Sequence, residues 1–452
     1  MQTVNPTTGE SLSGYDVYSA EDVQQRLKQS ERAFESWKTT SFDERSPLLH
    51  RIADRLESQA SELARLMTLE MGKPISQAEA EIKKCGWVCR HYADHAERYL
   101  TPEPIETDKT ESYVRFDPLG PILAIMPWNF PYWQVFRHIA PALMAGNTVV
   151  LKHAKSVWGV AHKIEELCAD SETPNGLVTN LAIKTDQVES VIENDIIRAV
   201  TLTGSEKAGA IVGAQAGKAL KKVVLELGGS DPFIVLADAD LSNAVEFAVK
   251  ARTQNTGQSC IAAKRFLIEQ DVCEEFTDRL TEAMRSLVIG DPLNHETDIG
   301  PLCRDDLRDE LHEQVQNSIQ AGAELKLGGE KLNRPGFFYA PTILSNVRPG
   351  MSAFDEETFG PVAAITEVTN VEEAIKLANQ SRYGLGGSVF TQDLDRAKTI
   401  AARLECGTVA INGMVASDPR LPFGGIKQSG FGRELGRWGI REFVNTKTVT
   451  VE

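Results

Sequence analysis

A carboxylate and a thiol stand 34 positions apart in this chain, Glu226 in Glu226–Leu227–Gly228–Gly229 and Cys260 in Asn255–Thr256–Gly257–Gln258–Ser259–Cys260. A thiolate can attack a carbonyl carbon and carry the acyl group, and a carboxylate can then activate water to release it. The residues after the cysteine, Ile261–Ala262–Ala263, read as a helix start, whose dipole would lower the thiol pKa. A third polar group, Asn129, sits in Pro127–Trp128–Asn129–Phe130–Pro131, where two prolines and two aromatics restrict the backbone. An amide fixed in that way suits a developing oxyanion. Each residue also has a plainer reading: an inert buried thiol, an ion-paired carboxylate, a helix-capping Asn.

These groups need a scaffold, and its elements are readable. Asn5–Pro6–Thr7–Thr8–Gly9–Glu10 reads as a hairpin turn. Capping boxes at Ser19–Ala20–Glu21–Asp22 and Ser41–Phe42–Asp43–Glu44 open two helices. The second is predicted to run to about Met71, where Gly72–Lys73–Pro74 stops it, and a third fills 76–98. After a Pro/Glu/Thr-rich connector at 101–110, short β-rich runs alternate with helical segments. The runs are 121–126, 148–152, 177–183, 199–203 and 223–227, then 232–236, 265–269, 361–368, 387–391 and 408–412. That alternation indicates two α/β units with parallel sheets, joined near 228–231. The last residues, 442–451, alternate like a strand whose partner is another element or another subunit.

Two glycine-bearing stretches add to the candidate sites. Gly204 and Ser205 follow a strand and open a helix, which suits a phosphate at the helix N-terminus, although the stretch is not a G-x-G-x-x-G fingerprint. The run from Leu421 to Glu434 has four glycines and reads as a close-packed loop of the kind that lines active sites.

A net charge of −16 over 452 residues argues against nucleic acid or an anionic membrane as partner. The first residues carry no secretory signal and no apolar run reaches membrane-spanning length, so a cytoplasmic location is expected. Seven scattered cysteines fit free thiols in a reducing compartment, and Cys85 and Cys89 have no further ligands beside them to make a metal site.

Six motifs, in order across essentially the whole chain, resemble the aldehyde dehydrogenase superfamily: Pro-Trp-Asn-Phe-Pro, Leu-Thr-Gly-Ser, Leu-Glu-Leu-Gly-Gly, Asn-x-Gly-Gln-x-Cys, Glu-Glu-Thr-Phe-Gly-Pro and Pro-Phe-Gly-Gly-x-Lys-x-Ser-Gly. The resemblance implies an α/β fold of that family. A Rossmann-type dinucleotide-binding domain would span 1–100 and 119–228, and an α/β catalytic domain 229–430. A small β oligomerisation element would take 101–118 and 440–452. It implies Cys260 as nucleophile, Glu226 as general base, and Asn129 with the Cys260 N–H as oxyanion donors. Trp128, Lys152, Gly204, Ser205, Glu357 and Phe359 match positions that hold NAD or NADP. The implied reaction is addition of the thiolate to an aldehyde, hydride loss to the nicotinamide, and hydrolysis of the thioester. A homodimer or homotetramer and the absence of a metal are also implied.

Two departures from the family pattern sharpen the expectation. Lys155 stands where many members have a glutamate that holds the adenosine ribose, so NADP is expected to be accepted. Arg137, four residues after Trp133, replaces an apolar or aromatic tunnel residue and suits a carboxylate on the substrate through bidentate hydrogen bonds, with Ser417 as a second donor. Its plainer reading is a structural salt bridge, with Glu356 or another acid. These features resemble the branch acting on succinate semialdehyde; another small polar aldehyde is the alternative. Ala262 leaves no second cysteine for a local disulfide switch.

Overall fold

The computed structural model describes residues 1–452. Its first sheet has six strands in the order Gly430–Phe431, Lys222–Glu226, Ala199–Thr203, Pro121–Met126, Thr148–His153, Val178–Asn180, parallel except for the first. Successive side chains of a strand point to opposite faces, so a strand apolar at every position must be covered twice. Ile122 and Ala124 join one buried cluster with helices Phe42–Ser58, Ile75–Leu100 and Trp133–Met144. Leu123 joins another with Val200, Leu202 and Val212.

The second sheet has seven strands, Glu324–Leu327, Thr342–Ser345, Val362–Val368, Ala263–Glu269, Asp231–Val235, Gly386–Phe390 and Thr408–Ile411, with only the first antiparallel. It splits in the same way, Ile234 and Leu267 to one core, Phe233 and Phe266 to the other. A third sheet pairs Val444–Val451 with Glu111–Pro118 at all eight positions, and Glu103–Pro104 closes it. The terminal strand therefore has its partner within the chain. The architecture is a Rossmann-type sheet, a second α/β sheet and a small β element.

Both expected capping boxes form, at Ser19 with Asp22 and at Ser41 with Glu44. The second helix is shorter than its periodicity predicts. It ends at Ser58, and a separate helix, Ala60–Met71, follows an interruption at Gln59. The run 177–183 forms a strand only at Val178–Asn180. The short strand Gly430–Phe431 lies against Lys222–Glu226 and puts Gly430 opposite Glu226, which pins the glycine-rich loop to the strand that carries that carboxylate. No helix is long and apolar enough to cross a membrane.

Candidate active site

In the first sheet the chain proceeds from Pro121–Met126 to Thr148–His153 on one side, and later to Ala199–Thr203 on the other. Loops leaving neighbouring strands in opposite directions open a crevice at their C-terminal ends, where dinucleotides bind in such sheets. Here those loops carry Trp128, Asn129, Gly204 and Ser205, which line one cavity of about 650 Å³ with Cys260, Glu357 and Phe359. Ser205 caps the helix Glu206–Lys218, its hydroxyl accepting from the Ala208 N–H at 3.3 Å. The helix N-terminus at the cavity wall favours an anion such as a pyrophosphate.

From the opposite side, Glu357 accepts a hydrogen bond from the Gly229 N–H at 2.9 Å and stands 3.7 Å from the Lys264 ammonium. Phe359 meets Trp128 edge-on, with ring centroids 5.7 Å apart. Lys152 is half-buried at the end of its strand, has no carboxylate partner, and has its pKa lowered by that burial. An unpaired, desolvated cation, a helix N-terminus and a carboxylate beside an aromatic wall fit the phosphates, ribose and ring of a nicotinamide dinucleotide. Lys155 is exposed at the start of the single turn Lys155–Val157. Three further lining residues lack any local sequence signal. Tyr383 donates to Glu206 at 2.8 Å and Arg382 pairs with Glu206 at 3.0 Å, joining the two sheets across the cleft.

The cysteine loop is overdetermined by contacts. Asn255 and Thr256 both sit in the left-handed region, with φ of 55° and 56°, a conformation that costs free energy in non-glycine residues. Asn255 donates from Nδ2 to the Asn129 carbonyl at 2.7 Å, and Asn129 donates from Nδ2 to the Gln258 carbonyl at 3.1 Å. Thr256 bonds Gly300, and the Gln258 side chain accepts from the Cys303 N–H at 2.8 Å. The fully buried Lys264 donates to the carbonyls of Ser259 and Cys260 at 3.0 and 2.9 Å. Lys264 does not stand out in the sequence, and Asn255 does so only as the first residue of its motif, because each acts through backbone carbonyls brought close only by folding.

Cys260 does not start a helix. Residues 260–262 turn directly into the strand Ala263–Glu269. The dipole argument for a lowered thiol pKa therefore fails, and burial instead pushes the thiol up to about 12, against the opposing fields of Arg137 and Lys264. The Cys260 N–H donates to no protein group. The Asn129 amide, bonded to the Gln258 carbonyl, lines the same cavity as Cys260.

Glu226 is buried and neither carboxyl oxygen has a partner. It does not line the cavity; it points to the glycine-rich loop, where a side chain on Gly424 would collide with its Oε1. Burial, then the field of Glu434, raises its pKa well above the carboxylate range, opposed by Arg137 and Arg433. Arg137 is itself paired with Glu434, and its Nη2 donates to Thr203 at 3.1 Å. The expected two-pronged clamp on a substrate carboxylate is thus corrected: one edge of the guanidinium is already engaged, and its acid is Glu434, not Glu356. Trp133, Arg137 and Ser417 all lie outside the cofactor-side cavity.

The model of the aldehyde dehydrogenase family matches residues 1–449. The chain belongs to the aldehyde dehydrogenase family. It is an NAD(P)-dependent enzyme of that family, and the cavity described above suits that cofactor. The succinate semialdehyde dehydrogenase [NAD(P)+] of Escherichia coli K12 is 50% identical over 447 residues, covering 99% of this chain and 97% of the relative. Succinate-semialdehyde dehydrogenase [NADP(+)] 1 of Mycobacterium tuberculosis H37Rv is 44% identical over 452 residues, covering 99% of each. Among solved structures, succinic semialdehyde dehydrogenase from Streptococcus pyogenes in complex with NADP+ superposes with a TM-score of 0.97 at 38% identity, covering 100% of this chain and 99% of that one.

Proposed function

We propose that this aldehyde dehydrogenase oxidises succinate semialdehyde to succinate with NADP+ or NAD+. The observation that carries the substrate assignment is the positive charge behind the nucleophile. Arg137 is the largest favourable field at the Cys260 thiol and lies outside the cofactor-side cavity, so an aldehyde with a remote carboxylate is drawn to that side. The names of the relatives support the same substrate.

Catalysis then runs on the chain's own groups. The Cys260 thiol passes its proton to water, and its sulfur bonds to the aldehyde carbon as the carbonyl π pair moves onto oxygen. The oxyanion that forms is met by the free Cys260 N–H and the Asn129 amide. A bound nicotinamide, held by Trp128, Lys152, Gly204, Ser205, Glu357 and Phe359, supplies the hydride acceptor. Glu226 deprotonates the water that opens the thioester and releases the acid. A carboxylate in that role favours water over a thiol as acyl acceptor. For this step the Glu226 side chain must turn from the glycine-rich loop toward Cys260, leaving a position where it makes no hydrogen bond.

We also propose a homodimer or homotetramer. Six of the eight residues of Val444–Val451 are exposed even though the strand is fully paired with Glu111–Pro118, so the ribbon offers its surface to another copy. A chain ending at Phe443 is expected to be smaller by light scattering.

The deciding experiment compares kcat/KM for succinate semialdehyde and for butanal, a neutral aldehyde of equal length. A preference of roughly tenfold or more is expected from one charged hydrogen bond. Equal values would reject the substrate, and a preference for an amino- or hydroxy-aldehyde would install the alternative.

A further inference from the structure

Lys84 lies on the helix Ile75–Leu100 and touches a residue 333 positions away. Its ammonium donates to Ser417 Oγ at 2.8 Å. The same nitrogen stands 4.2 Å from the centroid of the Trp133 ring. It has no ion-pair partner, whereas the neighbouring cation, Arg137, is paired with Glu434 while still exerting a favourable field at Cys260. A lysine withdrawn from water without a counter-charge is costly, and such a group is retained where an anion completes it.

Burial, then the field of Arg137, lowers the Lys84 pKa to about 8. Glu81 and Asp418 pull the other way, but neither forms an ion pair with it. The Trp133 ring under Lys84 and the Arg137 guanidinium both belong to the helix Trp133–Met144, which follows the Asn129 segment. Ser417 accepts from Lys84 and keeps its own proton to donate.

We propose that Lys84 is the residue that selects the distal carboxylate of the substrate, with the Ser417 hydroxyl alongside and the Trp133 ring as a wall. This rests on the reading of the enzyme as one that takes a carboxylate-bearing aldehyde. Arg137, engaged by Glu434 and Thr203, contributes field, while Lys84 makes the contact.

The test uses the full-length enzyme at saturating NADP+, with Lys84→Met, Lys84→Arg and Ser417→Ala variants. The ratio of kcat/KM for succinate semialdehyde to that for butanal is expected to fall roughly 10- to 100-fold in Lys84→Met, the range of one charged hydrogen bond. The fall should come mainly through KM, be smaller in Ser417→Ala, and be largely restored in Lys84→Arg. A parallel fall for both aldehydes, or an unchanged ratio, assigns Lys84 a packing role and overturns the inference. A parent enzyme with no preference between the aldehydes overturns the substrate reading itself, and Lys84 with it.

The unaltered enzyme gives a readout that needs no variant. KM for succinate semialdehyde is expected to rise as pH passes about 8 and the ammonium discharges, with no matching rise for butanal. The groups facing Lys84 are Arg137 from the helix Trp133–Met144, Glu81 and Cys85 on its own helix, and Asp418 beside Ser417. Asp418 has its pKa lowered, and Cys85 has its pKa raised well above the thiol range by burial. A KM that rises equally for both aldehydes overturns the inference as well.

Discussion

Arg137 and Glu434 form an ion pair in which each side chain is only 3% exposed, and the carboxyl of Glu226 lies in the fields of both. Two buried carboxylates share one guanidinium. Burial raises the pKa of both carboxyls, and the guanidinium opposes the rise at each, by direct contact at Glu434 and by its field alone at Glu226.

Replacing Glu226 by Gln should therefore separate its two roles. Without the base, the thioester persists: a burst of about one reduced cofactor per active site, followed by turnover slower by roughly 10²- to 10⁴-fold. Stability moves the other way. A carboxyl whose folded pKa lies above its unfolded value gives stability that is present below the unfolded pKa and lost as pH rises through the folded one. Glu226→Gln is expected to melt higher than the parent at pH 9 and close to it near pH 4. No burst, or a variant that melts lower at pH 9, would contradict this picture.

Glu434→Gln leaves a buried guanidinium without its counter-ion, a change that typically costs about 3–5 kcal/mol. It also removes the charge that holds the Glu226 proton on, so hydrolysis should reach its plateau at lower pH. Urea midpoints and the pH profile of turnover check the two effects separately. Adding Arg137→Met to Glu434→Gln should recover part of the stability. If the single variant is as stable as the parent, the pair is not holding the loop.

Asn129→Ala removes one of the two proposed oxyanion donors. The expected loss is about 10²–10³-fold in kcat with little change in KM, the range for deleting such a donor. The same variant removes one of the two side-chain amides that donate to the Gln258 carbonyl and leaves the other, Asn255. A KM-dominated loss would mean that Asn129 holds the loop and does not stabilise charge.

Much of the frame is legible in local chemistry. Alternation of strand and helix positions ten of the thirteen strands of the two sheets, because runs such as Pro121–Met126 are buried on both faces and so are apolar throughout; it misses Glu324–Leu327, Thr342–Ser345 and Gly430–Phe431. Ser19 and Ser41 mark their helix starts, since the capping box is a contact over three residues. The break at Gln59 leaves no such mark: no Pro or Gly stands there, and a 30-residue periodic stretch from 42 to 71 conceals it. The site follows the same rule. Its motif residues form glycine- and proline-rich loops that read as loops. What surrounds them does not read at all: Lys84 and Ser417, or Arg137 and Glu434, meet only after the chain has folded back over hundreds of residues. Lys83–Lys84 looks like a solvated pair, yet one member is exposed and the other turns inward.

The two lysines proposed for the cofactor's adenosine end, Lys152 and Lys155, differ in burial and so should differ in effect. Lys152 is half-buried and its ammonium is desolvated; contact with the ribose would serve NAD and NADP alike. Lys155 is exposed, and its charge matters only if a 2′-phosphate is there to feel it. Reversing that charge with Lys155→Glu changes an exposed Coulomb term of about 1 kcal/mol per charge, enough for roughly a tenfold loss of kcat/KM with NADP+. With NAD+ the same variant should change little. Lys152→Met should weaken both cofactors together. Because an exposed charge pair is screened by salt, the NADP+ penalty of Lys155→Glu should shrink on going from 0.05 to about 0.5 M NaCl, while that of Lys152→Met should not. A Lys155→Glu variant that treats both cofactors alike would place the side chain in solvent, with the choice between NAD and NADP made elsewhere.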